Sequence, residues 1–173
     1  MKLSVKQIVV MALTFLLTVG ILRLGQWLYT QSAIDAPLLQ AVRAVPGVQS
    51  ATWLNPDTLT IALSPSADLM ATYEAVKLRA SALGMTVTPV VAPGRPDAVL
   101  RQLDNQIHFA VAQGEATGQY VAMDQAILAM ARARGVTASV ELGQSHLFIT
   151  LRRGAAYYFE VLPVALGGGG AHG

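Results

Sequence analysis

The chain has 173 residues, 53% hydrophobic and 13% charged, with no cysteine, a formal net charge of +2 and a pI near 9.2. Lack of cysteine excludes disulfides, thiolate nucleophiles, zinc fingers and iron–sulfur centres. The basic pI is no sign of a nucleic-acid partner: from Gln31 onward nine Lys and Arg face ten Asp and Glu, and such a body, of about −1 with interspersed signs, lacks the clustered basic face that phosphates need.

The only long apolar run lies at the N-terminus. Ile8 to Leu22 is 15 residues, about 22 Å of helix at ~1.5 Å per residue, against a hydrocarbon core of about 30 Å. Extended through Leu24, Trp27 and Leu28 it reaches spanning length, with Arg23 near enough to the far interface to snorkel and Trp27 and Tyr29 at headgroup depth. A cleavable signal peptide needs small residues third and first before the cut. The frames around Ala33 and Ala36 place Gln31 or Ile34 third. Residues 1–30 are therefore expected to be an uncleaved signal anchor in membrane lipid, marked by Lys2, Lys6, Arg23, Trp27 and Tyr29. Lys2 and Lys6 ahead of the apolar run predict a cytoplasmic N-terminus and an extracytoplasmic globular domain.

Residues 31–36 read as a tether. Asp35 is placed to cap a helix with Pro37 near its start and Leu38, Leu39, Val42 and Val45 on one face, ended by Pro46-Gly47. Two alternating segments follow, Val48 to Leu54 and Thr58 to Leu63, joined by Asn55-Pro56-Asp57, which predicts a hairpin. Ser66 is placed to cap a helix whose apolar stripe is Leu69, Tyr73, Val76, Ala80 and Leu83, stopped by Gly84. Met85 to Val91 reads as a strand that Pro89 confines to an edge or bends. Residues 37–91 thus form an αββαβ unit. This order is similar to that of the small modules in membrane-anchored secretion and sporulation ring proteins, a resemblance of element order over this unit.

Residues 92–97, "APGRPD", break both periodicities and read as a short linker. Val99, Leu100, Leu103, Ile107, Ala110 and Val111 have helical spacing up to Gly114, although residues 107–112 alone are also compatible with a strand. A second helix is expected from about Gln119 to Arg134, completing a helical hairpin. Val136 to Leu142, Leu147 to Leu151 and Ala155 to Leu162 predict a three-stranded antiparallel meander within 98–164, followed by a disordered glycine-rich tail, 165–173.

Chemistry-bearing residues are sparse. His108, His146 and His172 show no ligand spacing among themselves. Asp104 and His108 share a helix face as a carboxylate–imidazole surface pair. Ser145-His146 reads as adjacent strand residues on opposite faces, and Asp57, Asp97 and Glu141 are scattered. Neither "GEATG" nor the tail has the context of a phosphate loop, Met123 and Met130 have core spacing, and Arg152-Arg153 reads as a solvated turn. No catalytic, cofactor-binding or metal-ligating residue is expected, and no cofactor. Phe148 and Tyr158 are a candidate partner surface on a sheet face turned from the core.

The expected fold class is α+β: one N-terminal transmembrane helix, then the αββαβ unit, then an αα-hairpin plus three-stranded antiparallel meander. The expected function is that of a membrane-anchored, non-enzymatic interaction or scaffold protein, with a protein partner in an envelope assembly. The alternative is an exported, membrane-tethered ligand-binding module.

Overall fold

The structure, a computed structural model, describes residues 14–23 and 36–164. The expected anchor residues Lys2, Lys6, Trp27 and Tyr29, the cap Asp35 and the tail 165–173 lie outside these. Residues 14–23 are helical (α1) and exposed, with Arg23 at the end of the described stretch. No helix among the described residues is long and apolar enough to cross a membrane. The chain divides into two compact units, Met1–Ala41 and Val42–Gly173. The boundary falls within α2 (Ala36–Arg43), where Leu38 and Val42 are buried.

The fold is α+β. β1 (Val48–Asn55) and β2 (Thr58–Leu63) form an antiparallel hairpin, and β3 (Thr88–Val91) lies parallel to β2, giving the order β1-β2-β3. Leu59, Ile61 and Leu63 are buried; Ala51 and Trp53, opposite Ile61 and Leu59, turn inward with them, leaving Thr52 and Leu54 outside. Pro89 sits in the edge strand β3, where a missing N–H is tolerated.

Helix α3 (Leu69–Ala82) returns the chain from β2 to β3. Its cap is Asp68 rather than Ser66: the Asp68 carboxylate accepts from the Ala71 N–H at 2.9 Å, which fixes the first turn two residues later than expected. Leu69, Tyr73, Val76 and Ala80 are buried, but Leu83 is 48% exposed. It is the C-cap, already off the helical path, so the stripe stops at Ala80.

Residues 92–97 are not a free linker. β4 (Gly94–Arg95) pairs with the last strand, opposite Tyr158 and Tyr157. A Cβ on Gly94 would lie 2.6 Å from the Tyr157 ring, and its φ is 86°, so the pairing requires glycine. Asp97 then caps α4 (Ala98–Thr117), its carboxylate accepting from the Leu100 N–H at 2.8 Å. Residues 107–112 are therefore helix. α5 (Tyr120–Arg132) packs against α4 so closely that a Cβ on Gly114 would meet Met123 Cβ at 2.8 Å.

β5 (Thr137–Leu142), β6 (His146–Arg153) and β7 (Ala156–Pro163) form the meander, in the order β4-β7-β6-β5. Leu147, Ile149 and Leu151 face the two helices in a core with Leu103, Ile107 and Ile127. On the opposite face Phe148 packs on Tyr73 of α3, ring centroids 5.3 Å apart, so β6 is buried on both sides from Leu147 to Leu151. The partner surface expected from Phe148 and Tyr158 is thereby corrected. Leu151 pairs with Tyr158 while Phe148 pairs with Val161, which puts the two aromatics on opposite faces. Phe148 is 2% exposed and Tyr158 packs against the helical core. Arg152, expected in a solvated turn, donates to the Pro65 and Ala67 carbonyls at 2.8 and 2.9 Å, linking β6 to the loop before α3.

Candidate functional site

The β6–β7 register pairs Ile149 with Glu160. Residues directly opposite in a pair share a face, so Glu160 is turned toward the helices with Tyr158 and Leu162. The α4 spacing brings Asp104 and His108 to the same place. His108 Nε2 lies 3.1 Å from Glu160 Oε1 and 3.8 Å from Asp104 Oδ1. The two carboxylates are mostly shielded from solvent, while His108 is 47% exposed and closes the site from outside.

This arrangement is electrostatically costly. Asp104 Oδ1 and Glu160 Oε2 are buried without a hydrogen-bond partner, and a buried, unsatisfied polar atom costs about 1–3 kcal/mol. Burial first, then the hydrogen bond and negative charge of Asp104, push the Glu160 carboxyl up to about 8. Burial likewise raises Tyr158, with the charges of Glu160 and Asp104 adding to it, and keeps the phenol neutral. No family model, curated protein or solved structure matches this chain. The chemistry of the site is therefore read from its geometry alone.

Asp104, His108 and Glu160 each offer one ligand atom, and these atoms lie within 4.8 Å of one another. The helix spacing of the first two is legible in the sequence; the part of Glu160 in the site is not. Its signal was phase: Ala156, Tyr158, Glu160 and Leu162 occupy one face of a strand, and a carboxylate among apolar inward positions calls for a partner.

The other described chemistry-bearing residues lie apart from this site. Ser145 lies in the turn before β6 and not in the strand, so its Oγ reaches His146 Nδ1 at 2.9 Å, contrary to the opposite-face expectation. His146 Nε2 is 3.4 Å from the Tyr73 hydroxyl, and no carboxylate among the described residues completes a relay. Asp57 lies in the exposed β1–β2 turn. The Leu100 N–H, and then Arg153 at 2.8 Å, hold Asp97 below the usual carboxylate range. Glu141 accepts from Ser139 and borders a polar cleft of about 210 Å³ with Asp68, Thr150 and Arg152.

Proposed function

We propose that this chain is a membrane-anchored, non-enzymatic interaction or scaffold protein, a subunit of an envelope assembly, whose extracytoplasmic α+β domain meets a protein partner along β1. The observation that carries the reading is the edge of the first sheet. Natural edge strands are blunted by charges, proline or bulges, yet the eight residues VQSATWLN contain no charge and no proline, and the register shifts are confined to the two ends. Gln49, Ser50, Thr52, Leu54 and Asn55 are exposed, and Arg43 covers one acceptor by donating to the Ala51 carbonyl at 3.0 Å. Such a strand suits addition of an extended segment from a partner protein. The apolar run Ile8 to Leu22, with Lys2 and Lys6 before it, supports the anchor and the orientation.

The alternative, a tethered ligand-binding module, draws support from the cleft between Asp68 and Glu141. At about 210 Å³ it is smaller than the roughly 300–1,000 Å³ of small-molecule sites, and a cleft of about 430 Å³ lined by Pro46, Gly47, Ser66 and Ala71 has Asp68 as its one charged side chain, which ranks this reading second. Photocrosslinkers placed at Thr52 and Leu54 in native membranes, with Glu115 on α4 as the control position, test the first reading. Adducts with a discrete protein from the β1 positions alone are expected. Equal adducts from Glu115, or none from β1, would refute it.

A further inference from the structure

Asp104 and Glu160 bring two carboxylates into a half-covered site where, among the described residues, neither forms an ion pair with a lysine or arginine. Three nearby guanidinium groups are engaged elsewhere: Arg101 with the Pro96 carbonyl, Arg134 with Gln106 and the Met130 carbonyl, and Arg153 with Asp97. Among the described residues it is the His108 imidazole that approaches the pair, one oxygen of Glu160 closely and Asp104 only at 3.8 Å. The second Glu160 oxygen and Asp104 Oδ1 are left buried and unpartnered. A cation among the three side chains would meet the need of each.

We infer that Asp104, His108 and Glu160 form a binding site for one divalent transition-metal ion of the zinc class. Zinc binds imidazole nitrogen at about 2.0–2.1 Å and carboxylate oxygen at about 2.0–2.2 Å, so two ligands at a tetrahedral angle stand roughly 3.3–3.5 Å apart. The His108–Glu160 and His108–Asp104 separations, 3.1 and 3.8 Å, bracket that value. The imidazole decides the class of metal, since calcium and magnesium take oxygen donors. Three protein ligands leave a fourth position for water on the side where His108 meets solvent.

Calorimetric titration of the purified full-length chain with zinc chloride tests this. One zinc per chain is expected, with Glu160→Gln and His108→Ala each weakening binding more than about 100-fold, since loss of an outer-shell partner alone costs 10–100-fold. Glu160→Gln keeps the shape and, like the protonated carboxyl it replaces, is neutral, so its loss of binding will not come from unfolding. His146→Ala and His172→Ala should bind as the parent does, and cobalt(II) should give a visible absorption spectrum that Glu160→Gln lacks. The inference is overturned by no saturable zinc binding up to millimolar concentration, by binding that survives both ligand substitutions, by loss in either histidine control, or by calcium binding as tightly as zinc.

Discussion

Glu160 shows how one residue acquires its properties from its neighbours. An unfolded glutamate titrates near 4.5, and burial beside Asp104 raises the folded value to about 8. The native state therefore holds a proton that the unfolded chain releases, so this contribution to stability is complete below about pH 4.5 and is lost as the pH rises toward 8. Without added metal, the thermal midpoint should fall between pH 5 and 8, and the fall should flatten in Glu160→Gln. A midpoint profile identical in the two proteins would show that Glu160 titrates normally. Asp97, held low, acts in the opposite sense and only at more acidic pH. His108 was visible in the sequence as half of a helix pair, whereas its closer partner comes from β7, 52 residues away in the chain.

At the scale of the element, α3 and the α4–α5 hairpin make distinct demands. Val76 is fully buried, and Lys77 beside it is half-exposed, loosely paired with Glu74 and over the Tyr73 ring. Val76→Asp would bury an uncompensated carboxylate and should cost several kcal/mol, a large part of the ~5–15 kcal/mol stability of a domain. Lys77→Asp and Leu83→Asp should each change stability by no more than about 0.5 kcal/mol, because neither side chain is in the core; equal midpoint shifts would contradict the packing described. In the hairpin, Gly114→Ala sets a helix-propensity gain of about 0.5–1 kcal/mol against overpacking of about 1–3 kcal/mol. A net loss of stability is expected, because the clash is with Met123 Cβ, which no rotamer change can move.

At the scale of the whole molecule, Arg152 joins β6 to the loop that leads into α3. Arg152→Met keeps the apolar stem but leaves the Pro65 and Ala67 carbonyls without their donor, and should cost about 1–3 kcal/mol in chemical denaturation. Arg153→Ala removes only an exposed pair with Asp97 and should cost no more than about 1 kcal/mol. The anchor has its own tests. Intact protein should carry Met1 and stay with membranes through a carbonate wash, and a mature N-terminus near Ala33 would refute an uncleaved span. Protease should digest the globular domain on protoplasts but not in inside-out vesicles; the reverse pattern would invert the orientation.

By itself the sequence determined the α+β class and the order of the described elements from α2 to β7 apart from β4, because periodicities of 3.6 and 2 and the capping and turn residues are properties of short stretches. Leu59, Ile61 and Leu63, or Leu147, Ile149 and Leu151, announce an inward face wherever the partner lies. Only the tertiary structure decided what lies across from each face. That β6 is covered on both sides, that Phe148 and Tyr158 point opposite ways, that "APGRPD" contributes a strand, and that Arg152 reaches the loop before α3 all depend on register between segments distant in the chain. The Asp104–His108–Glu160 site has the same origin. Two of its members are one helical turn apart and share a face by local geometry, while the third is delivered by a strand pairing whose register is set by side-chain packing across the whole sheet.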